Sequence, residues 1–282
     1  MPVDYIKAWL KGANSSKLIN NPKFTLSYEK YEDKDTGECS RMILKHKNLN
    51  IIIYRNERIL LTGSLHYFYN DGLYNYDNFT YQKLILTLKK VSELVEVKLI
   101  DIILLNIEFG VNITPYLDPN LIIHNMHLHR GKEFLKPYNF NYRAAKHQRF
   151  WIKIYNKGEQ FKRKENILRI ELKYIKMLDL NKLDLHTFED LQNKALYPQL
   201  LKLLIAKWNE SILYDYSIKT KYLKPLLAKK TLQYQNTNYW LQLSNQQRKR
   251  EKDTLKNLSV NYGTDIQKEV SNLIIDKWHF LT

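Results

Sequence analysis

The sequence predicts an α+β protein, in which an antiparallel sheet with packed helices over residues 1–177 is followed by an all-helical region over residues 178–282. Three observations lead there. Several segments between about residues 50 and 174 alternate apolar and polar side chains with a period of two. Turn formers separate them, at Asp118–Pro119–Asn120, Gly131 and Gly158. After Met177 the alternation stops and helical spacing takes over.

In chain order, residues 1–45 read as irregular and polar, with a turn at Glu32–Gly37. Ile51–Tyr54 and Ile59–Leu65 are rich in β-branched and apolar residues and read as short strands. Thr80 is placed to cap a helix in which Leu84, Leu86, Leu88, Val91, Leu94 and Val95 recur with roughly helical spacing as far as about Val97. Strands resume at Leu99 and continue to about Tyr174, so the core of the first region spans about residues 50–177. Leu183–Leu196, Tyr197–Asn209, Lys221–Leu232, Tyr239–Leu258 and Asp265–Trp278 all read as helices.

Composition narrows the function classes. The 282 residues suffice for one large core or two modest ones. With 45 Lys and Arg against 29 Asp and Glu, the formal charge is +16, which favours polyanionic partners because each neutralised phosphate releases counterions. The single cysteine, Cys39, leaves no disulfide framework and no cysteine zinc site. No apolar run reaches the roughly 18 residues of a membrane span, and the N-terminus has no signal-type apolar segment. A cytoplasmic protein without a membrane partner is expected. Tyrosine is frequent, at 21, among 5 Trp and 10 Phe, which offers stacking surfaces as well as core residues.

The alternating segments carry the chemistry. In Arg149–Glu159, Phe150, Ile152 and Ile154 fall on one face, and Arg149, Trp151, Lys153, Tyr155, Lys157 and Glu159 on the other. In Ile103–Asn112, Ile103, Leu105, Ile107, Phe109 and Val111 oppose Asn106, Glu108, Gly110 and Asn112. In Leu168–Tyr174 the apolar residues oppose Arg169, Glu171 and Lys173, and in Asn125–Arg130 Met126 and Leu128 oppose His127 and His129. Neighbouring strands of a sheet covered on one side would gather Glu108, His127, His129, Tyr155, Lys157 and Glu171 on its other side. Carboxylates and imidazoles are ligands for divalent metals. A tyrosine hydroxyl, with an ordinary pKa near 10, becomes a usable nucleophile where cations or a metal stabilise its anion. Together these groups suit phosphodiester transesterification. Any single one of the segments is equally well an ordinary amphipathic strand.

Several motifs occur in an order that resembles the rolling-circle plasmid replication initiators. Arg149-Phe-Trp-Ile-Lys-Ile-Tyr-Asn-Lys157 is similar to the active-tyrosine strand of that family. Tyr138-Asn-Phe-Asn-Tyr-Arg143 precedes it where the family has a Tyr-Phe-Gly-x-Arg stretch, and Leu168-Arg-Ile-Glu-Leu-Lys173 follows it like the family's Trp-Arg-Val-Glu strand. Leu105-Asn-Ile-Glu-Phe109 stands where the family has an Arg-Leu-Asp strand with an acidic metal ligand. The layout looks closest to initiators of the filamentous-phage gene II/X type. The resemblance covers roughly residues 50–180. It implies a fold related to the HUH endonucleases, a Mg²⁺ or Mn²⁺ requirement, and origin nicking through a 5′-phosphotyrosine, with origin DNA and a host helicase as partners.

Carried onto this sequence, the resemblance makes Tyr155 the nucleophile, Lys157 a phosphate contact, and Glu108 and Glu171 metal ligands. His127-Leu-His129 matches the His-hydrophobic-His metal motif of other HUH enzymes and adds two expected ligands. Arg143, Arg149 and Lys153 are expected to contact DNA. So are Arg248, Arg250 and Lys252 of the helical region, as a basic stripe gripping duplex phosphates. Asn106 and Glu108 depart from the family's Arg-x-Asp pattern, which leaves open which carboxylate meets the metal. Tyr54, Tyr67, Tyr69 and Tyr142 stand as candidates for a second nucleophile. The alternatives are a relaxase or transposase with the same chemistry, and a non-catalytic protein that holds single-stranded DNA.

Overall fold

The computed structural model describes residues 3–32, 39–136 and 141–282. Residues 33–37 of the expected turn and residues 138–140 of the motif before the tyrosine strand lie outside them. The chain forms two compact units, Met1–Gly110 with Lys173–Leu200 and Phe280–Thr282, and Val111–Leu172 with Leu201–His279. The boundary expected near 178 therefore falls inside the first unit, and neither unit is a continuous piece of chain.

The first unit is built on antiparallel strands β1 (Tyr5–Leu10), β2 (Thr25–Glu32), β3 (Cys39–His46), β4 (Leu49–Tyr54), β5 (Ile59–Ser64) and β6 (Ile102–Ile113, to Gly110 in this unit), in the order β2-β3-β4-β5-β1-β6. Helices α1 (Ser15–Ile19), α2 (Leu65–Tyr69) and α3 (Tyr81–Val95) complete it. Thr80 caps α3 through its side chain, and Leu84, Leu88, Val91, Leu94 and Val95 are buried, whereas Leu86, also expected among the apolar positions, is exposed on the opposite side of the helix. The N-terminal stretch read as irregular instead holds β1, α1, β2 and most of β3, and β1 is interior to the sheet. Ile6, Ala8 and Leu10 alternate there on the core face. Asp4, Lys7 and Lys11 break up the apolar run in the sequence.

Strand β6 departs from its predicted alternation. Lys7 pairs with Asn106 and Ala8 with Leu104, so Leu105 is the extra residue of a β-bulge. The bulge reverses the faces. Ile102 and Leu104 enter the core, while Ile103 and Leu105 are only partly buried.

The second unit contains α4 (Pro119–His124), β7 (Met126–His129), β8 (Lys132–Glu133), β9 (Tyr142–Lys146), β10 (Phe150–Asn156), α5 (Lys157–Gln160) and β11 (Leu168–Tyr174, to Leu172 in this unit). It continues with α6 (Leu196–Glu210, from Leu201), β12 (Ser211–Leu213), α7 (Pro225–Tyr234), α8 (Thr237–Gln242), α9 (Asn245–Tyr262) and α10 (Ile266–Leu281, to His279). Its strands form two groups, β11-β10-β9 and β12-β7-β8. β7 was expected beside the tyrosine strand but lies in the second group, between β12 and β8. The residues of β12 carried no strand signal beyond three positions at the end of a helix. Leu128 and Ile212 of this small sheet join Tyr234, Trp240, Leu255 and Leu258 of α7–α9 in one apolar core.

The C-terminal helices differ from expectation in two places. Leu183–Leu196 is not a helix; it is mostly turns and short 3-10 segments, with Thr187 bridged to Ile103. The single helix expected over Tyr239–Leu258 is two. Ser244 interrupts it and caps α9 in a reciprocal capping box with Gln247. Among the described residues no helix is long and apolar enough to cross a membrane. The architecture is α+β.

Candidate active site

Tyr155 lies near the end of β10, where the alternation read from the sequence holds. Phe150, Ile152, Ile154 and Asn156 are buried, and Trp151, Lys153 and Tyr155 are partly exposed. The strand stops because Asn156 caps α5, its side-chain oxygen accepting from Glu159 N at 3.1 Å. Asn156 Nδ2 also donates to Asn120 Oδ1 at 3.2 Å, and Asn120 Nδ2 to Glu159 Oε1 at 2.5 Å. Lys157 and Gly158 both donate backbone N–H to Ile167 O, fixing the return toward β11. A side chain at Gly158 would meet Glu165 O at 2.3 Å, so this close approach needs glycine.

Across the β9–β10 pair Tyr142 stands in register with Tyr155, their ring centres 5.6 Å apart. Lys157 is almost fully buried, with Nζ 5.4 Å from the Tyr155 ring centre and 5.0 Å from that of Phe161. Tyr142, Lys153, Tyr155, Asn156, Glu159 and Glu171 line a cavity of about 380 Å³ together with Asn141 and Gln160. Cavities of about 660 Å³ near Trp9 and about 630 Å³ beside α9 are larger, but Lys252 is the only predicted site residue in either.

Glu171 was expected on an open charged face; it is buried. Lys153 Nζ reaches its Oε1 at 2.7 Å and Arg169 Nε its Oε2 at 2.7 Å. Arg169, fully buried, also donates to Asn112 Oδ1 at 3.2 Å. Burial by itself would raise the Glu171 pKa, but Lys153 and Arg169 outweigh it and hold the carboxyl well below the usual range. Arg169 and Asn112 were visible in the alternating strands but received no role, since alternation alone does not say that their faces are covered.

The remaining predicted metal ligands have other partners. Glu108, in the first unit, accepts from Lys173 Nζ at 2.8 Å, and that ammonium also lies 4.7 Å from the Tyr5 ring centre. His129 is fully buried, with Nε2 3.0 Å from Lys207 O and Nδ1 2.8 Å from His147 Nε2. A carbonyl only accepts, so Nε2 carries the proton and Nδ1 takes one from His147, leaving neither nitrogen for a metal. Burial pushes His129 down to about 3, aided by the His147 charge. His127 bonds Thr237 Oγ1 through Nδ1 at 2.9 Å, and burial, then Lys136 and Arg143, lower it to about 4. Its Nε2 has no hydrogen-bond partner among the described residues. Among those residues no group of three or more His, Cys, Asp or Glu side chains is placed to hold a metal. As arranged, the predicted donors do not fit a divalent ion. Glu171 is matched by two cations, and the histidines sit on the separate strand β7.

The expected DNA contacts also divide. Arg149 is exposed in the turn before β10, and Lys153 faces the cavity. Arg143 pairs in register with Ile154, on the face opposite Tyr155, and is buried with its guanidinium bonded to Tyr142 O. Arg248 folds inward, donating to Trp240 O at 3.1 Å, Leu243 O at 2.7 Å and Asn245 Oδ1 at 2.9 Å. Its guanidinium covers Gly131, whose φ of +77 suits glycine. Lys252 Nζ donates to Asn209 O at 2.5 Å, and burial lowers its pKa to about 8. Arg250 alone of the three is exposed. The basic residues of α9 thus form no single stripe.

No protein-family profile matches the sequence, and no curated protein matches it. Among solved structures the chain is similar to one described as "Structure of Rolling Circle Replication Initiator Protein from Geobacillus stearothermophilus", with a TM-score of 0.41 and 12% identity. The match covers 72% of this chain and 83% of that one. A likeness of this size assigns neither an activity nor the role of any residue here.

Proposed function

We propose that this chain nicks and rejoins single-stranded DNA as a rolling-circle replication initiator, with Tyr155 as the nucleophile. The observation that carries the reading is the cavity in which Tyr155 and Lys153 face one side, with the buried Lys157 ammonium beside the tyrosine ring. The motif Arg149–Lys157, which holds all three residues, supports it from the sequence.

In the reaction, Tyr155 Oη attacks a backbone phosphorus. The new bond is phosphorus to Tyr155 oxygen, and the bond that breaks is phosphorus to O3′. The phenol proton passes to solvent and the leaving oxygen takes one up as a 3′-hydroxyl. Attack by a 3′-hydroxyl on the phosphotyrosine reverses the step and rejoins the strand, so bond energy is conserved without a nucleotide cofactor. Negative charge grows on the non-bridging oxygens in the transition state, where a fixed cation is worth most. Lys153 lines that cavity, and Lys157 favours the tyrosine anion by its charge. Mg²⁺ or Mn²⁺ was expected from the resemblance. The arranged donors do not fit one.

The second reading, a non-catalytic single-strand binder, is favoured by the same face. Lys146 Nζ lies 4.3 Å over the Trp151 ring, on the same face of the β9–β10 pair as Tyr142 and Tyr155, as in surfaces that stack bases and track phosphates. One experiment separates the two. The protein is mixed with a 3′-labelled pool of random-sequence single-stranded oligonucleotides, with Mn²⁺ or with chelator, and run on a denaturing gel. The proposal expects labelled DNA to migrate with the wild-type protein and not with Tyr155→Phe. Binding without any adduct would leave the non-catalytic reading.

A further inference from the structure

We propose that the Arg169–Glu171–Lys153 chain of ion pairs takes the place of a divalent-metal centre at this site. Lys153 is the cation that meets the attacked phosphate, and Glu171 is a positioning residue that holds it there. The inference rests on the reading of Tyr155 as nucleophile.

The arrangement has a direction. Arg169 lies deepest, fully buried and bonded to Asn112, Glu171 is next with 2% of its side chain exposed, and Lys153 is outermost with 13% exposed in the cavity that Tyr155 lines. Both Glu171 oxygens are occupied, each by its own cation at 2.7 Å. A hard divalent ion is held by several oxygen donors and favours sites that are negative before it arrives. Here two cations surround one carboxylate, so the triad is already net positive. It is matched to a phosphate and repels a metal ion. The ammonium of a lysine in this position would otherwise sweep many rotamers; its bond to a buried carboxylate confines it at the cavity wall, which is the preorganisation that electrostatic catalysis needs. Lys153 also stands two residues before Tyr155 on the same strand face, so one peptide segment presents both nucleophile and cation.

The test uses the full chain. Manganese binding is read first, from the electron paramagnetic resonance signal of free Mn²⁺ at equimolar metal and protein; the expected signal is that of unbound metal. Adduct formation with the random single-stranded pool is then timed in Mn²⁺ and in excess chelator. The expected rates agree within several-fold. Lys153→Met should slow adduct formation by about 10²–10³-fold, the usual effect of deleting one fixed transition-state donor, with Lys153→Arg recovering part of it. Glu171→Gln should slow it too without altering Mn²⁺ binding, and thermal melting checks that each variant folds. One Mn²⁺ bound per chain and lost in Glu171→Gln would overturn the proposal, as would an adduct that chelator abolishes and Mn²⁺ restores, or Lys153→Met reacting like wild type. Each of those results leaves Tyr155 as nucleophile. Absence of adduct in Mn²⁺ and in chelator alike would overturn that reading and this inference together. If a variant fails to fold, the two wild-type measurements still decide.

Discussion

Strands β10 and β7 look alike in the sequence and end in opposite surroundings. Each alternates apolar residues with groups capable of chemistry, Lys153 and Tyr155 in β10 and His127 and His129 in β7. On β10 the functional face borders a cavity of about 380 Å³. On β7 every residue is buried, between β12 and β8 and under the core of α7–α9. Alternation reports which side chains share a face. It does not report what covers that face, because the cover comes from residues far away in the chain, such as Thr237 on His127 and Lys207 on His129.

The largest effect that sharpens this contrast is on the open side. Tyr155→Phe should remove covalent attachment altogether while the stability stays within about 0.5 kcal/mol of wild type, the usual range for a partly exposed site away from the core. Gel analysis of the adduct and a thermal melt check both halves. A variant that still forms the adduct would break the contrast.

On the closed side, Arg248→Ala should cost about 2–3 kcal/mol, because carbonyls of Trp240 and Leu243 lose a charged donor. Arg250→Ala, at an exposed position of the same helix, should stay within about 0.5 kcal/mol. Urea unfolding of the two variants reads the difference; equal values would return Arg248 to the surface.

The histidines set a pH dependence whose sign follows from linkage. Their folded pKa values, about 4 for His127 and about 3 for His129, lie below the ordinary 6.5. The unfolded chain therefore binds protons first. The stability they contribute is complete above pH 6.5 and is lost as the pH falls from 6.5 toward 4 and 3. Melting temperatures measured across that window should drop, and less so in His129→Leu. A melting temperature that is flat through the window would mean that these side chains are not held neutral.

The smallest effect belongs to Lys252. Burial lowers its pKa from 10.5 to about 8, so the charged form is disfavoured in the folded chain. That cost is fully present below pH 8 and is relieved as the pH rises toward 10.5. Lys252→Met should gain about 1 kcal/mol at neutral pH, the relief being partly offset by the lost bond to Asn209 O. Salt-dependent binding to duplex DNA should be unchanged by it. A shallower salt slope would restore the residue to a phosphate-binding role.

The parts of the fold legible in the sequence are those fixed by local pattern. The capped helix α3, the faces of β10 and most of α6 and α10 follow from spacing and capping residues alone. The parts that were not legible depend on pairing. β1 is recognisable as an interior strand only through its partners β5 and β6. The bulge at Leu105 reverses the β6 faces without any glycine or proline to announce it. β11 looked half-exposed, but Arg169 and Glu171 are buried because each neutralises the other. At the site, the alternation placed Lys153 beside Tyr155 correctly. Its ion pair with Glu171 joins separate strands and had no local signature.

The most direct measurement of the central claim is the mass of the DNA-linked peptide. Trypsin cuts after Lys153 and Lys157, so a phosphotyrosine at Tyr155 appears on the short peptide Ile154–Lys157 after nuclease digestion of the bound strand. The added nucleotide mass is expected on that peptide. A nucleotide carried instead by the peptide holding Tyr142, or by no tyrosine at all, would contradict it.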